Sequence, residues 1–506
     1  MYTICRQQEV GLRSWRLLNL IISIGIASAI GMSQVAAARD LPSKPSRQEP
    51  LPNIVIFYAD DLGYGDLESY GHPTIRTPNL AKLAREGQQW TQFYAASPVC
   101  TPSRGSLMTG RLPARIGLEA SAGLPNVFMS FSTGGLPHDE LTLPMLLKQR
   151  GYRTGLVGKW HLGATKDHGP NSYGFDYFFG LASSNDHDPA VPFTMDLFFE
   201  EPNEAHWAVP LYRNQAKIEA ATNQGLLNQR LTNEASDFIR TTTKQPLFLM
   251  LAFSYPHVPL FPAPEFRGHS QAGLYGDVVE EMDDSVGKVL AALAARKDGR
   301  KTLIIFTSDN GPISLMRENG GSAGPLRGGK ATTWEGGMRV PTIFWGPGLV
   351  TPGRVQELGS QLDILATLAE LIGVTLPNDR PYDGESILAT LTHKSATARN
   401  TLYYYRAGRI FAVRDRRYKA HFITQGGYED PDGPVVQTSP LIFDLWADPG
   451  ERYPLEKPNS ALIRHFEMLR DQQQANVPLS PSELVKGIPT RAPAKKDERT
   501  KEGRQR

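Results

Sequence analysis

The chain has 506 residues, of which 40% are hydrophobic and 21% charged, and a formal net charge of +2 at pH 7. That is the mix of an ordinary globular enzyme, and at about 100–200 residues per domain the length calls for two or three domains. A charge so close to balance gives no electrostatic case for a nucleic-acid partner.

In chain order, Arg6, Arg13 and Arg16 precede an apolar stretch from Leu17 to about Met32, followed by Ala36-Ala37-Ala38. This is the charged, apolar and small-residue sequence of a secretory signal peptide over 1–38. An uncleaved membrane anchor is the alternative, although the apolar run is marginal against the ~20 residues that a span needs. The expected product is exported, periplasmic or secreted, with 39–51 as a leader. The two cysteines are Cys5 and Cys100, so cleavage after Ala38 leaves Cys100 alone. A lone cysteine forms no intrachain disulfide, and an exported protein gains little from an oxidisable thiol. Cys100 therefore has a specific task.

Asn53 to Tyr58 is a short apolar, β-branched run that predicts a buried strand delivering Asp60 and Asp61 at its C-terminal edge. Leu141 to Arg150 predicts a helix stopped by Gly151, with a strand over Thr154 to Val157. Val279, Met282, Val286, Val289, Leu290 and Leu293 follow the spacing of one helix face, with Glu280, Glu281, Asp284 and Lys288 expected on the other. Thr302 to Thr307 repeats the first strand and ends in Asp309-Asn310-Gly311. This alternation predicts an α/β domain over 52–377 with a largely parallel sheet, whose ligands gather at the carboxyl ends of the strands. After about Pro377 the texture changes to short runs, Leu402 to Tyr405, Ile410 to Val413, Tyr418 to Ile423 and Leu441 to Leu445, which predict a small antiparallel sheet in a second domain over 378–480. Residues 481–506, rich in Lys, Arg, Pro and Glu, are expected to form a disordered charged tail.

Cys100-Thr101-Pro102-Ser103-Arg104, continuing as Gly105-Ser106-Leu107-Met108-Thr109-Gly110-Arg111, resembles the signature of the type I sulfatases, whose cysteine is oxidised after synthesis to Cα-formylglycine. Gly151 to Gly163, with Lys159-Trp160-His161 inside it, is similar to their second signature. With Asp60-Asp61 and Asp309-Asn310-Gly311 the resemblance runs from about residue 52 to about 455. Ser254 to His257, Lys419 to Phe422 and Phe443 to Glu451 look like the arylsulfatase A branch. It implies an alkaline-phosphatase-like fold, a large, mostly parallel mixed sheet flanked by helices, with a smaller C-terminal antiparallel α+β domain.

The resemblance also implies a chemistry. One hydroxyl of the hydrated aldehyde at Cys100 attacks sulfur, and the other later loses its proton so that the carbonyl reforms and sulfate leaves by C–O cleavage. Arg104 would stabilise the hydrate, and Pro102 and Arg104 would be read by a sulfatase-maturing enzyme. Asp60, Asp61, Asp309 and Asn310, together with the group formed from Cys100, would hold a hard cation, calcium in preference to magnesium. Asp309 would double as the base on the attacking hydroxyl. Lys159 and Lys330 would bind sulfate oxygens, His161 would accept a proton during elimination, His257 would serve the leaving alcohol, and Ser184 would contact the sulfate. His421 is expected to reach the substrate from the second domain or to pack as a strand residue between domains; His168 and His187 stay unassigned. The expected partner is a sulfated small molecule or carbohydrate. Two other readings are a phosphonate monoester or phosphodiester hydrolase of the same superfamily, against which the Lys159-Trp160-His161 and Ser254 to His257 stretches argue, and a binding protein that keeps Cys100 unconverted.

Overall fold

In the computed structural model, residues 50–487 are described apart from 121–123, 200–201, 243, 393–395, 398, 429 and 431. The expected signal peptide and residues 39–49 of the leader lie outside the described residues. Strand β1 (Asn53–Ala59) is buried along its length. Val55, Phe57 and Ala59 enter one core, and Ile54, Ile56 and Tyr58 enter another on the opposite face. A strand covered on both faces has no polar side, which is why its sequence is a continuous apolar run.

Four further strands, β2 (Arg153–Lys159), β3 (Tyr177–Leu181), β4 (Leu247–Ala252) and β5 (Thr302–Ser308), join β1 in the spatial order β5-β1-β4-β2-β3, all parallel. Thr342–Trp345 runs antiparallel to β5, and Gln88–Trp90 and Gly353–Val355 complete that edge; the hairpin of Leu211–Arg213 and Ala216–Glu219 closes the other, giving ten strands. Helices α1 (Cys100–Thr109) and α4 (Asp363–Ile372) cover the face of Ile54 and Ile56, and α2 (Leu227–Thr241) and α3 (Gly273–Ala294) cover the other. Gly158, at a φ of 110°, lies so close to β4 that a Cβ would stand 1.8 Å from the Ala252 carbonyl oxygen. Only glycine permits that approach just before Lys159.

The apolar stripe of α3 packs as its spacing predicts, but two of its expected solvent-side residues are buried. Glu281 accepts the Ala263 amide at 3.0 Å, and Glu280 accepts the Arg76 amide at 3.0 Å. A 22-residue helix under long loops is covered on more than one side, and its carboxylates satisfy the amides of those loops.

The second sheet is antiparallel in chain order, β6 (Leu402–Arg406), β7 (Arg409–Arg414), β8 (Tyr418–Gln425) and β9 (Pro434–Asp444), backed by helix α5 (Ser460–Asn476) through Phe466. Residues 481–487, expected to belong to the tail, are packed on the large domain. Ser480 donates to the Ala114 carbonyl and Glu483 to that of Gly117, and Leu484 is fully buried in the large-sheet core. One leucine inside a charged stretch outweighs its composition. Residues 488–506 lie outside the described residues. Among those described, no helix is long and apolar enough to cross a membrane.

Candidate active site

The register of the sheet assembles the site. Ala59 on β1 lies opposite Ser308 on β5, so Asp60-Asp61 and Asp309-Asn310 leave the sheet side by side. The Asp61 amide, on a residue with a φ of 63°, donates to Asp309 Oδ1 at 3.1 Å, and Asn310 Nδ2 donates to Asp61 Oδ1 at 2.7 Å. One carboxylate oxygen each from Asp60, Asp61 and Asp309, and Cys100 Sγ, all lie within 4.8 Å of one another, completely buried. Three cations answer the three carboxylates. Lys159, from the end of β2, reaches Asp60 Oδ2 at 2.6 Å; Lys330 reaches Asp61 Oδ2 at 2.8 Å; Arg104 reaches Asp309 Oδ2 at 2.7 Å and Asp60 Oδ1 at 3.3 Å.

Burial opposes charge on all of these groups, and their neighbours decide the outcome. Lys159 and Arg104 outweigh the burial of Asp60 and hold its carboxyl well below the usual range. Burial and then the Asp60 charge push Asp309 up to about 7. Asp61 overcomes the burial of Lys330 and keeps it charged. The arrangement fits a hard cation. Three carboxylates converge in a buried site, and the buried Asn310 Oδ1 has no hydrogen-bond partner among the described residues, an oxygen ligand left over beside them.

Cys100 and Arg104 lie one turn apart at the start of α1 and so face the same side. Cys100 Sγ is 3.5 Å from Asp60 Oδ1 and 4.0 Å from Asp61 Oδ1. Burial pushes the thiol well above its ordinary pKa, with Lys159 and Lys330 acting against the rise. Gln361, which has no signal in the sequence, locks α1 to the sheet: its Oε1 accepts from Ser103 at 3.0 Å and from Tyr58 at 2.8 Å, and its Nε2 donates to the Ser308 carbonyl at 2.5 Å.

His161, at a φ of 60°, has its Nε2 2.9 Å from the Phe128 carbonyl. A carbonyl only accepts, so Nε2 carries the proton and Nδ1 keeps its lone pair, buried and without a partner among the described residues. Burial, Lys159 and His187 hold this ring neutral. His257 is fixed by Nδ1 on the Val258 carbonyl at 2.5 Å, which turns Nε2 toward Asp61 Oδ2 at 3.5 Å. Ser184 Oγ accepts from Lys159 at 3.0 Å.

Two residues beside Ser184 also belong here. His187 packs 5.1 Å from the His161 ring, held by Ser183 Oγ at 2.5 Å from its Nδ1. Burial of Asp186 would raise its carboxyl, but His257, His187 and Lys159 bring it down to about 2. Their place just after Ser184 was the signal available in the sequence. His168 stays apart, bonded to Tyr173 and stacked on His138.

His421 is the exception among the expected site residues. It is fully buried, with Nε2 2.6 Å from Glu451 and its ring 4.2 Å from that of Trp334. On β8 it shares a face with Lys419, which bonds Glu335 and Glu451 at 3.0 Å each. These contacts follow the packing alternative: it joins the second sheet to the segment that carries Lys330.

The family model described as Sulfatase matches residues 52–374, and the one described as the C-terminal region of aryl-sulfatase matches 397–498. The chain is 39% identical to arylsulfatase A of Bos taurus, covering 86% of this chain and 91% of the relative. It is 39% identical to N-acetylgalactosamine-6-sulfatase of Homo sapiens, with 85% and 87% covered. The crystal structure of the PsFucS1 sulfatase from Pseudoalteromonas sp. superposes with a TM-score of 0.74 at 30% identity, over 85% of this chain and 92% of that one. The acidic strand ends, the buried cysteine and these matches along both sheets lead to one conclusion: the chain belongs to the sulfatase family, enzymes that hydrolyse sulfuric esters.

Proposed function

We propose that the chain hydrolyses sulfate monoesters of carbohydrates or aryl alcohols, with Cys100 oxidised to formylglycine and calcium, or magnesium in its place, held by Asp60, Asp61, Asp309 and Asn310. The observation that carries this reading is the setting of Cys100, whose Sγ faces two carboxylates at 3.5 and 4.0 Å. Burial above all, with Asp309 and Asp60 adding to it, disfavours a thiolate despite Lys159 and Lys330, so the position suits a cysteine-derived oxygen nucleophile next to a cation better than a thiol nucleophile. Formylglycine, as its hydrate, supplies that oxygen and a route for releasing sulfate without a second attack at sulfur. The cation supplies Lewis-acid polarisation of the sulfate.

The chain's own residues do the rest. Lys159 and Lys330 exchange a carboxylate partner for a sulfate oxygen, with Ser184 alongside. Arg104 holds Asp60 and Asp309 in place behind the nucleophile. His161 takes the second hydroxyl proton on its free Nδ1, and His257, protonated on Nε2 as well as on the Nδ1 that the Val258 carbonyl holds, donates the Nε2 proton to the leaving oxygen. Asp309 serves as the base on the attacking hydroxyl. The name of the human relative, N-acetylgalactosamine-6-sulfatase, supports a sugar as the alcohol half. The signal segment supports export to the periplasm or beyond, and Pro102 and Arg104 supply what a sulfatase-maturing enzyme would read.

The test is turnover of 4-nitrophenyl sulfate beside the matched phosphate and phosphonate esters, using protein coexpressed with a formylglycine-generating enzyme. Sulfate turnover that vanishes in Cys100→Ala is the expected result, with peptide mass reporting the conversion of Cys100. Faster turnover of the phosphorus esters would overturn the sulfate assignment.

A further inference from the structure

Two hairpin turns of the second sheet meet the catalytic segments of the first. In the β8–β9 turn, Gly427 abuts Thr332: a Cβ on Gly427 would stand 2.7 Å from Thr332 Cγ2. Thr332 is two residues beyond Lys330, and Ala331 donates to the Pro98 carbonyl at 2.8 Å, two residues before Cys100. The turn between β6 and β7 is tied down by the Gly408 amide, which donates to Glu119 at 2.9 Å. Both turns are therefore seated beside the nucleophile and the sulfate-binding lysine.

Each turn presents one side chain that makes no hydrogen bond or ion pair among the described residues. Arg406, at the end of β6, lines a recess with Pro98, Val99 and Pro102, the residues on either side of Cys100. Its side chain is half-buried and makes no hydrogen bond or ion pair among the described residues. Other buried arginines of the molecule are paired: Arg104 with Asp309, Arg399 with Asp363, Arg414 with Glu335. A guanidinium withdrawn from water without a carboxylate is costly unless a ligand supplies the anion. The charged and titratable groups that face it are Glu119, Asp430 and Tyr428. The two acids are already engaged, Glu119 by the Gly408 amide and Asp430 by the Gly427 amide at 2.7 Å. Burial moreover lifts the Glu119 carboxyl to about 7, which reduces its charge near neutrality.

Tyr428, in the other turn, is 46% exposed and lies in the fields of Lys330, Cys100, Arg406 and Asp61. It lies within electrostatic reach of both Lys330 and Arg406, with an aromatic ring exposed to a sugar or aryl group.

We propose that Arg406 and Tyr428 form a leaving-group subsite that takes a second anionic substituent, a carboxylate or a further sulfate, on the alcohol half of the substrate. The proposal rests on the sulfate-ester reading above. It narrows the substrate class to acidic or multiply sulfated alcohols, with Tyr428 packing on the ring that joins the two anions. Arg406 offers the planar fork that matches either anion.

The experiment compares 4-(sulfooxy)benzoate with its neutral methyl ester, and hydroquinone disulfate with the monosulfate, in the matured enzyme and in Arg406→Met and Arg406→Lys. The readout is the ratio of kcat/KM for the more anionic substrate to that for its partner, which does not depend on the folded fraction. In Arg406→Met the carboxylate ratio, the sulfate ratio or both fall by at least about tenfold through KM, and in Arg406→Lys by about threefold. The arm that falls identifies the anion. Both ratios within twofold of the parent would overturn the subsite while leaving sulfatase activity intact. If no sulfate ester turns over, the failure belongs to the sulfate-ester reading, and calorimetric titration of Cys100→Ala with 4-(sulfooxy)benzoate decides the subsite by itself. Binding about tenfold weaker in Cys100→Ala/Arg406→Met supports it, and equal affinity overturns it.

Discussion

Two buried charge clusters lie on either side of the segment from Lys330 to Glu335, and they differ in how they close. At the seam with the second sheet, Glu335 accepts from Tyr94 at 2.5 Å, Tyr404 at 3.0 Å and Lys419 at 3.0 Å, while Glu451 accepts the Glu335 amide at 2.6 Å and engages Lys419 and His421. Lys419, Arg414 and Arg339 overcome the burial of Glu335 and bring its carboxyl down to about 2. The seam keeps a single notable vacancy among these residues, His421 Nδ1. At the strand ends, three carboxylates crowd one another, Asp309 rises to about 7, and Asn310 Oδ1 and His161 Nδ1 stay unpartnered. A network satisfied from within specifies structure; one with unpartnered acceptors and crowded acids is completed by what binds it.

That contrast is open to attack at several points. Asp309→Ala is expected to lower kcat/KM roughly 10³-fold and to abolish bound calcium or magnesium, while the fold is retained. Metal analysis of the purified variant checks this, and unchanged metal content would remove Asp309 from the ligand set. Glu335→Ala strands Lys419 and Arg414 in the seam and is expected to cost about 3–5 kcal/mol of stability, measured by denaturant unfolding. If its main effect were on turnover per folded molecule, the seam would belong to the site.

Glu281 provides a third buried acid for comparison, with Glu265 and Lys288 as its charged neighbours. Burial lifts it to about 7. A raised folded-state pKa favours the protonated native protein, so this contribution is complete below about pH 4 and is lost as pH rises through about 7. Glu281→Gln should therefore gain on the parent by about 1–3 kcal/mol between pH 4.5 and 8 in matched unfolding series. A constant difference across that range would show that Glu281 is charged in the native state. The smallest effect is expected for His421→Ala, about 1–2 kcal/mol of stability with KM for 4-nitrophenyl sulfate within about twofold. A large change in KM with little change in melting would return His421 to the substrate.

Much of the large sheet was legible because β1 and β5 are apolar runs that end in acids, and strand ends of a parallel sheet point at one place. Which acids would meet follows from register, and pairing Ala59 with Ser308 is a long-range fact that local pattern does not contain. The same gap explains Gln361, an unremarkable glutamine that ties α1 to both strands. Periodicity misassigned Glu280 and Glu281 because it reports one buried face, whereas loops bury a second. His421 shows a related gap: its motif fixed the strand but not which of its neighbours would take the side chain. Arg406 ends a strand at a turn and Tyr428 sits in one, where sequence shows a bend and hides what the bend faces.

The pairing of β1 with β5 also sets a clock. Cys100 is 2% exposed in the folded protein, beyond the reach of another enzyme's active site. The strand that closes the sheet beside it, Thr302–Ser308, leaves the ribosome roughly 200 residues after the Cys100 signature, which at about 5–20 residues per second takes on the order of 10–40 s. Under the proposed function, conversion of Cys100 would be a race between modification and the arrival of β5, and a chain whose sheet closed first would keep its thiol.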